Sequence, residues 1–340
     1  MVRPLCPALL CLLTILPICA HAAQETPPAS GAQALANAYA SRSVAQLIPD
    51  LKNPDQRRMA VLALASKGAE AVPGLLDALR SPDRNLRQGA TEALREIGAP
   101  SVQPLVITAQ TDSEAYVRWS AVNTLEGMSA FARDFLGPLG EIARNDKDQG
   151  VRVKVVLVLS KLKDPSSVPL LQELLKDPAS PFVRARAAEA LQNIGKPAAT
   201  PAIPTLQDAL KDTDKRVRVQ SALTLVALEA DGQPAVPALL EGLTDPALKL
   251  QPEAARWLKK LNADFTSAIP ALRKQVDSPN RSERMEAVMV LQDLVPDAGD
   301  RYPEMQRFWR EMRQQHAASD PSPLQAGESK QPASDKGPAK

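Results

Sequence analysis

The residues with the clearest chemical potential are arginines that recur about every 33 residues, each with an aspartate four to seven residues upstream. The arginines are Arg87, Arg118, Arg152, Arg184, Arg218 and Arg284, and the aspartates are Asp83, Asp112, Asp146, Asp177, Asp212 and Asp277. A row of guanidinium groups could bind phosphate or another polyanion. Arginines paired with aspartates would instead form a structural ladder of ion pairs. The chain has 41 basic and 39 acidic residues, which favours the ladder and argues against nucleic acid as a partner.

The chain lacks the residues from which most catalytic and metal sites are built. It has three cysteines, all near its start, and two histidines, His21 and His316. A Ser-His-Asp triad, a Cys-His dyad and a His-rich metal centre are therefore excluded from the region between the histidines. Asp146 and Asp148 resemble the start of a calcium-binding loop whose remaining ligands are missing, so we interpret them as a polar turn. The sequence predicts no catalytic residue, no cofactor and no metal, although its many carboxylates leave a paired-acid hydrolase open.

The elements that would position the ladder are pairs of helices. An apolar residue precedes five of the six arginines, all except Arg284, and apolar or small residues follow three and seven positions later, as Val117, Ala121 and Leu125 do around Arg118. This spacing is typical of one helix face. Upstream, a proline opens a second apolar segment, and proline is tolerated in the first turn of a helix. The pattern predicts an all-α solenoid of about eight helix pairs over residues 43–295, with helix A near the proline and helix B near the arginine.

These repeats resemble the HEAT family, in the short bacterial form found in phycobilisome lyases. The resemblance implies a superhelix in which the B helices line the concave side. The spacing of four to seven residues puts each aspartate and its arginine on the same inter-helix turn, and the resemblance implies that such pairs form a ladder along stacked turns. About function it implies little, because HEAT repeats serve scaffolds, adaptors and a few enzymes alike.

The ends of the chain differ from the repeats in composition. Residues 1–22 have a basic start, a short apolar run and small residues before a cleavage site, which predicts a signal peptide cleaved after Ala22 and a periplasmic or secreted protein without a membrane span. Residues 23–42 are interpreted as an N-terminal segment with a short capping helix. Residues 296–318 are interpreted as a C-terminal capping helix, and residues 319–340 as a disordered tail.

A candidate binding surface comes from the B helices, at the first and fifth positions after the arginine. Side chains at these positions point away from the predicted core stripe, yet several of them are apolar. They are Trp119, Val153, Leu157, Val219, Leu223, Met285 and Met289. We expect either a groove that binds a protein or peptide, or side chains that only pack on neighbouring B helices. The sequence thus favours a non-enzymatic scaffold, with an enzyme or enzyme subunit acting on a cell-envelope or pigment substrate as the alternative.

Overall fold

The structure, a computed structural model, describes residues 38–128, 131 and 135–319, with side chains to residue 315. The predicted signal peptide, residues 23–37 of the N-terminal segment and residues 320–340 of the predicted tail lie outside the described residues. Every regular element in the described part of the chain is an α- or 3-10 helix. The eight predicted helix pairs are confirmed, and we number them repeats 1 to 8.

The A helices are short, and the B helices run for up to 14 residues. The A helices are α1 (Val44–Leu47, continued by the 3-10 helix Ile48–Lys52), α3 (Val72–Leu79), α5 (Ala99–Thr111), α7 (Leu136–Asn145), α9 (Val168–Leu174), α11 (Ile203–Ala209), α13 (Val236–Thr244) and α15 (Ile269–Gln275). The B helices are α2 (Pro54–Ser66), α4 (Arg84–Ile97), α6 (Ala115–Glu126), α8 (Gln149–Leu162), α10 (Pro181–Ile194), α12 (Lys215–Ala227), α14 (Gln251–Lys260) and α16 (Arg281–Leu294). The helices α17 (Ala298–Arg301) and α18 (Pro303–Ser319) follow the last pair.

Local sequence signals explain where these helices begin. Five A helices carry their proline within the first two positions, where no intrahelical bond to its nitrogen is needed. Pro104 is an exception, because α5 begins a turn earlier at Ala99 and Pro104 lies inside it. B helices begin after capping side chains, as where Asp83 accepts hydrogen bonds from the backbone amides of Asn85 and Leu86.

The core is a continuous apolar layer between the A and B helices. In α10 the predicted stripe of Val183, Ala187 and Leu191 is fully buried. Neighbouring B helices contact one another more extensively than neighbouring A helices do. Since elements on the inside of a curved stack lie closer together, we place the B helices on the concave side.

The buried residues form two clusters that meet at α12. Val217 and Leu225 belong to the cluster of the earlier repeats. Val219 and Leu223, on the same helix, belong to the cluster of repeats 7 and 8 and the terminal helices. One side of α12 therefore packs against the earlier repeats, and its other side packs against the later ones.

Candidate functional site: the turn ladder and the B-helix face

The carboxylate partner of a central ladder arginine lies in the next repeat and not in the arginine's own turn. Arg118 of α6 donates from Nε to Asp146 Oδ2 at 2.7 Å and from Nη2 to Asp146 Oδ1 at 2.8 Å, and Asp146 belongs to the next repeat. From Nη1 it donates to the backbone carbonyls of Asp112 and Ser113 in its own turn, both at 3.0 Å. The expected pairing of Arg118 with the carboxylate of Asp112 is therefore wrong. Arg118 thus ties its own turn to the following one.

The aspartates have a second task that explains this arrangement. Asp212 accepts from Arg184 at 2.7 and 2.8 Å, and its Oδ1 also accepts from the backbone amide of Asp214. The carboxylate is thus bound to its own turn on one side and faces the preceding repeat on the other. Burial raises the pKa of Asp212, but the hydrogen bond from Arg184, the backbone amide of Asp214 and the charge of Arg184 together outweigh burial and hold that pKa below its usual value.

The paired arginines are poorly placed to bind a polyanion. The side chains of Arg118, Arg152 and Arg184 are only 11–13% exposed. Hydrogen bonds that Arg118 and Arg184 donate to Asp146 and Asp212 raise the pKa of each arginine. Arg152 is less tightly bound, with its Nη2 3.6 Å from Asp177 Oδ1. These three arginine–aspartate pairs connect repeats 3 to 6, so this part of the ladder has a structural role.

The ladder changes at its N-terminal end. Arg87 donates to the carbonyls of Ser81 and Pro82 in its own turn. Asp112, the aspartate of the following turn, is held instead by Arg80, the residue directly after helix α3, with Arg80 Nη2 2.7 Å from Asp112 Oδ2. Asp83 lies 3.8 Å from Lys52. Arg87 keeps the sequence spacing of the other ladder arginines, but it does not bind the aspartate of the next repeat.

At the C-terminal end the ladder contains a neutral rung. Gln251 takes the position of the arginine in repeat 7, is fully buried, and donates from Nε2 to the carbonyl of Leu243 and to Gln275 Oε1. Arg218 before it pairs with Glu241, at 2.8 Å. The remaining two ladder residues also depart from the pattern: Arg284 donates to carbonyls of its own turn, and Asp277 pairs with Arg307 of α18.

On the B-helix face, Trp119 forms part of a charged cluster. Its ring is 39% exposed, and Lys154 Nζ lies 5.0 Å from its centroid, within cation–π range. Lys154 also donates to Glu126 at 2.7 Å, and Lys161 lies 3.0 Å from the other oxygen of Glu126. Burial raises the pKa of Glu126, but the two lysines outweigh burial and lower it overall. Trp119 therefore offers an exposed aromatic surface that a fixed ion-pair network supports.

Two of the predicted binding residues are core residues. Val219 and Leu223 are completely buried, and a Cβ built on Gly242 would lie 2.7 Å from Val219 Cγ1. Their prediction as partner-binding residues is wrong, because this side of α12 packs against repeat 7. Val153 and Leu157 in α8 are half-buried, with Val153 packed against the core.

A polar bridge spans α12 on the same part of the molecule. Gln220 of α12 donates to Gln192 Oε1 of α10 at 2.9 Å. Gln192 in turn donates from Nε2 to Glu253 Oε1 of α14 at 3.0 Å. Repeats 5 and 7 therefore touch directly across repeat 6.

An open groove lies between α14 and α16, and we call it the α14–α16 groove. It has a volume of about 380 Å³, and its lining includes Pro252, Ala255, Met285, Glu286 and Met289. Met289 is 62% exposed, whereas Met285 is half-buried and packs against the core. Burial raises the pKa of Glu286, and Lys249 offsets only part of that effect.

Sequence reasoning missed two residues of this face. Leu62 of α2, five positions after Arg57, is 45% exposed, and its repeat matches the consensus too weakly to have been considered. Glu286 stands two positions after Arg284, and no sequence signal separates it from the many other surface acids.

Other classes of site are not seen in the described parts of the chain. Asp146 and Asp148, the residues that resemble a calcium loop, bind Arg118 and the backbone amide of Val151 respectively. Among the residues that the structure describes, no three His, Cys, Asp or Glu side chains form a group suited to a metal ion. Within the same residues, no helix combines the length and apolar character needed to cross a membrane.

Comparison with known proteins identifies the class of the fold. The family of HEAT repeats matches residues 32–126 and 136–224, which is more than half of the chain. The protein therefore belongs to the HEAT-repeat family. No curated protein matches it significantly in sequence.

Solved structures that resemble the chain are helical repeat proteins of low sequence identity. YibA of E. coli is 18% identical with a TM-score of 0.44, covering 85% of this chain and 99% of its own. The complex of CpcE and CpcF of phycocyanin lyase from Nostoc sp. PCC7120 is 21% identical with a TM-score of 0.40, covering 71% and 92%. Human deoxyhypusine hydroxylase is 22% identical with a TM-score of 0.29, covering 78% and 98%. At these identities the likeness concerns the fold alone.

Proposed function

We propose that this HEAT-repeat protein is an exported, non-enzymatic scaffold whose B-helix face binds a protein or peptide partner. The observation that carries the proposal is the uneven burial of equivalent apolar positions. Leu223 is fully buried by the next repeat, whereas Met289, at the equivalent position of α16, is 62% exposed, and Trp119 is 39% exposed. Exposed apolar side chains that packing does not require are typical of binding surfaces.

The chemistry of the exposed residues also supports binding without catalysis. Trp119, Met285 and Met289 provide neither a nucleophile nor an acid–base group. The acid in the Trp119 cluster, Glu126, is neutralised by two lysines and has a pKa below its usual value. A general acid would need a pKa near the working pH, and therefore a different environment.

Export is the part of the proposal that the first 22 residues support. If the signal peptide is cleaved after Ala22, the mature protein begins at Ala23 and contains no cysteine. Intact-mass and N-terminal analysis of protein recovered from outside the cytoplasm should give that start. Recovery of the chain with Met1 from the cytoplasm, or of a form lipidated on Cys19, would contradict export by this route.

The binding proposal is tested with single substitutions on the B-helix face. We expect Trp119→Ala or Met289→Ser to remove a cross-linked partner that the unmodified protein captures in its native compartment, as measured by quantitative mass spectrometry. Each variant should keep the helical circular dichroism spectrum, because both side chains are partly exposed.

The matched control is Ile107→Ser, which changes an equally exposed apolar residue on the A helix α5. It should leave the captured partner in place. If every captured protein is retained by both B-face variants, or is lost only with Ile107→Ser, the B-helix face is not the binding surface.

A further inference from the structure

Resting on the proposed function, we infer that the α14–α16 groove binds an apolar peptide segment that carries a lysine or arginine, whose charge pairs with Glu286. The inference names the place on the B-helix face and the chemistry of the occupant. It depends on the shape of the groove, on the adaptable side chains of its walls and on Glu286, whose carboxylate forms no ion pair with the residues that the structure describes, although Lys249 partly offsets its burial.

The groove has a closed apolar floor and adaptable walls. Ala255 of α14 and Val290 of α16 are 1% and 2% exposed and form the floor. Met285 and Met289 rise beside it from α16. Methionine is unbranched and polarizable, so it adjusts to apolar groups of different shape.

The helix α14 explains why the space is open. It has 10 residues, fewer than the 12 to 14 of the other B helices. Its side of the groove is formed by Pro252 and by the small side chain of Ala255. Smaller side chains on one wall leave a cleft that the opposite wall does not fill.

The charge on the rim selects the occupant. Glu286 makes no hydrogen bond or ion pair with the described residues, whereas Asp293, also on the rim, is held by Lys259 at 2.7 Å. Glu126 on the same B-helix face, by contrast, forms ion pairs with both Lys154 and Lys161. A lysine or arginine of a bound peptide would form with Glu286 the kind of ion pair that the two lysines form with Glu126.

The size of the groove favours a segment over a folded partner or a second copy of the chain. Its volume of about 380 Å³ falls near the lower end of the range for ligand pockets, roughly 300–1,000 Å³. It therefore accepts a few side chains. A stable complex of folded proteins buries about 1,200–2,000 Å² in total, for which the groove alone is too small.

The test is a selection of random twelve-residue peptides displayed on phage against the full chain. Enriched peptides are synthesised with a fluorescent label, and their dissociation constants are measured by anisotropy. We expect apolar residues flanking a lysine or arginine. Glu286→Gln should weaken binding by about tenfold or more, and Met289→Ser should weaken it similarly. Ile107→Ser should leave it unchanged, and replacing the basic residue of the peptide by norleucine should remove the effect of Glu286→Gln.

Several results would overturn the inference. Enriched peptides without a basic residue, or peptides that bind the Met289→Ser variant as well as the unmodified chain, would do so. Displacement of the selected peptide by a synthetic peptide of residues 320–340 would show that the chain itself fills the groove. Loss of a dimer in the Met289→Ser variant would show that a second copy fills it. If peptide binding is weakened by Trp119→Ala but not by Met289→Ser, the α14–α16 groove is not the binding site, but the proposed function stands. If no selected peptide is weakened by any substitution on the B-helix face, both the inference and the proposed function are contradicted.

Discussion

Replacing Leu191 by alanine is expected to lower the free energy of unfolding by about 2–5 kcal/mol. Leu191 is fully buried in α10 and belongs to the stripe that packs between the A and B helices. Truncation removes apolar contacts and leaves a cavity that rigid helices on both sides cannot fill. Urea unfolding followed by circular dichroism measures the change.

Leu62→Ala is the matched control for this prediction. It makes the same substitution in a B helix, but Leu62 is 45% exposed, so little packing is lost. A Leu191→Ala variant as stable as the Leu62→Ala variant would mean that the register of α10 is wrong.

The second large effect is expected from Asp212→Asn, which removes the charge from one rung of the ladder. Arg184 then keeps its own positive charge in a site that is 13% exposed, without its bidentate carboxylate. Hydrogen bonds to charged groups typically contribute about 1.5–3 kcal/mol, and we expect a loss of stability in that range. Glu229→Gln, in the exposed pair of Lys196 and Glu229, should have little effect.

The pH dependence of this difference identifies its cause. The pKa of Asp212 is lower in the folded protein than its usual value, so its contribution is complete above the ordinary aspartate pKa of about 3.9 and is lost as the pH falls through the lowered pKa. The stability gap between the unmodified protein and the Asp212→Asn variant should therefore close in acid. A gap that persists there would assign the effect to the shape of the side chain and not to its charge.

The fold could be predicted from the sequence because its strongest signals are local and repeated. A proline at the start of an A helix and a capping aspartate before a B helix act within one helical turn. Repetition of such signals along the chain then fixes the class of the fold. Where a signal competes with its neighbours, as at Pro104 beside Pro100, the predicted start of the helix is displaced.

The candidate site was harder to predict because it depends on contacts between repeats. The sequence shows that Leu223 and Met289 occupy equivalent positions, but it does not show that repeat 7 covers Leu223. The partners within the ladder depend on such contacts too: sequence spacing puts Arg118 and Asp112 on one inter-helix turn, where Arg118 binds the carbonyl of Asp112, but its carboxylate partner is Asp146, 28 residues away. Local spacing identifies the residues, and the stacking of repeats decides their partners.

The bridge from Gln192 to Glu253 changes how this chain should melt. In a simple solenoid each unit is coupled only to its nearest neighbours, so the array can fray from either end one unit at a time. Here the units on both sides of α12 are also coupled to each other. Unfolding of repeat 6 must break its contacts with repeats 5 and 7, and also the hydrogen bond from Gln192 to Glu253 that joins repeats 5 and 7. Residues 181–260 should accordingly exchange their amide hydrogens as one cooperative block, while the flanking units exchange in graded steps.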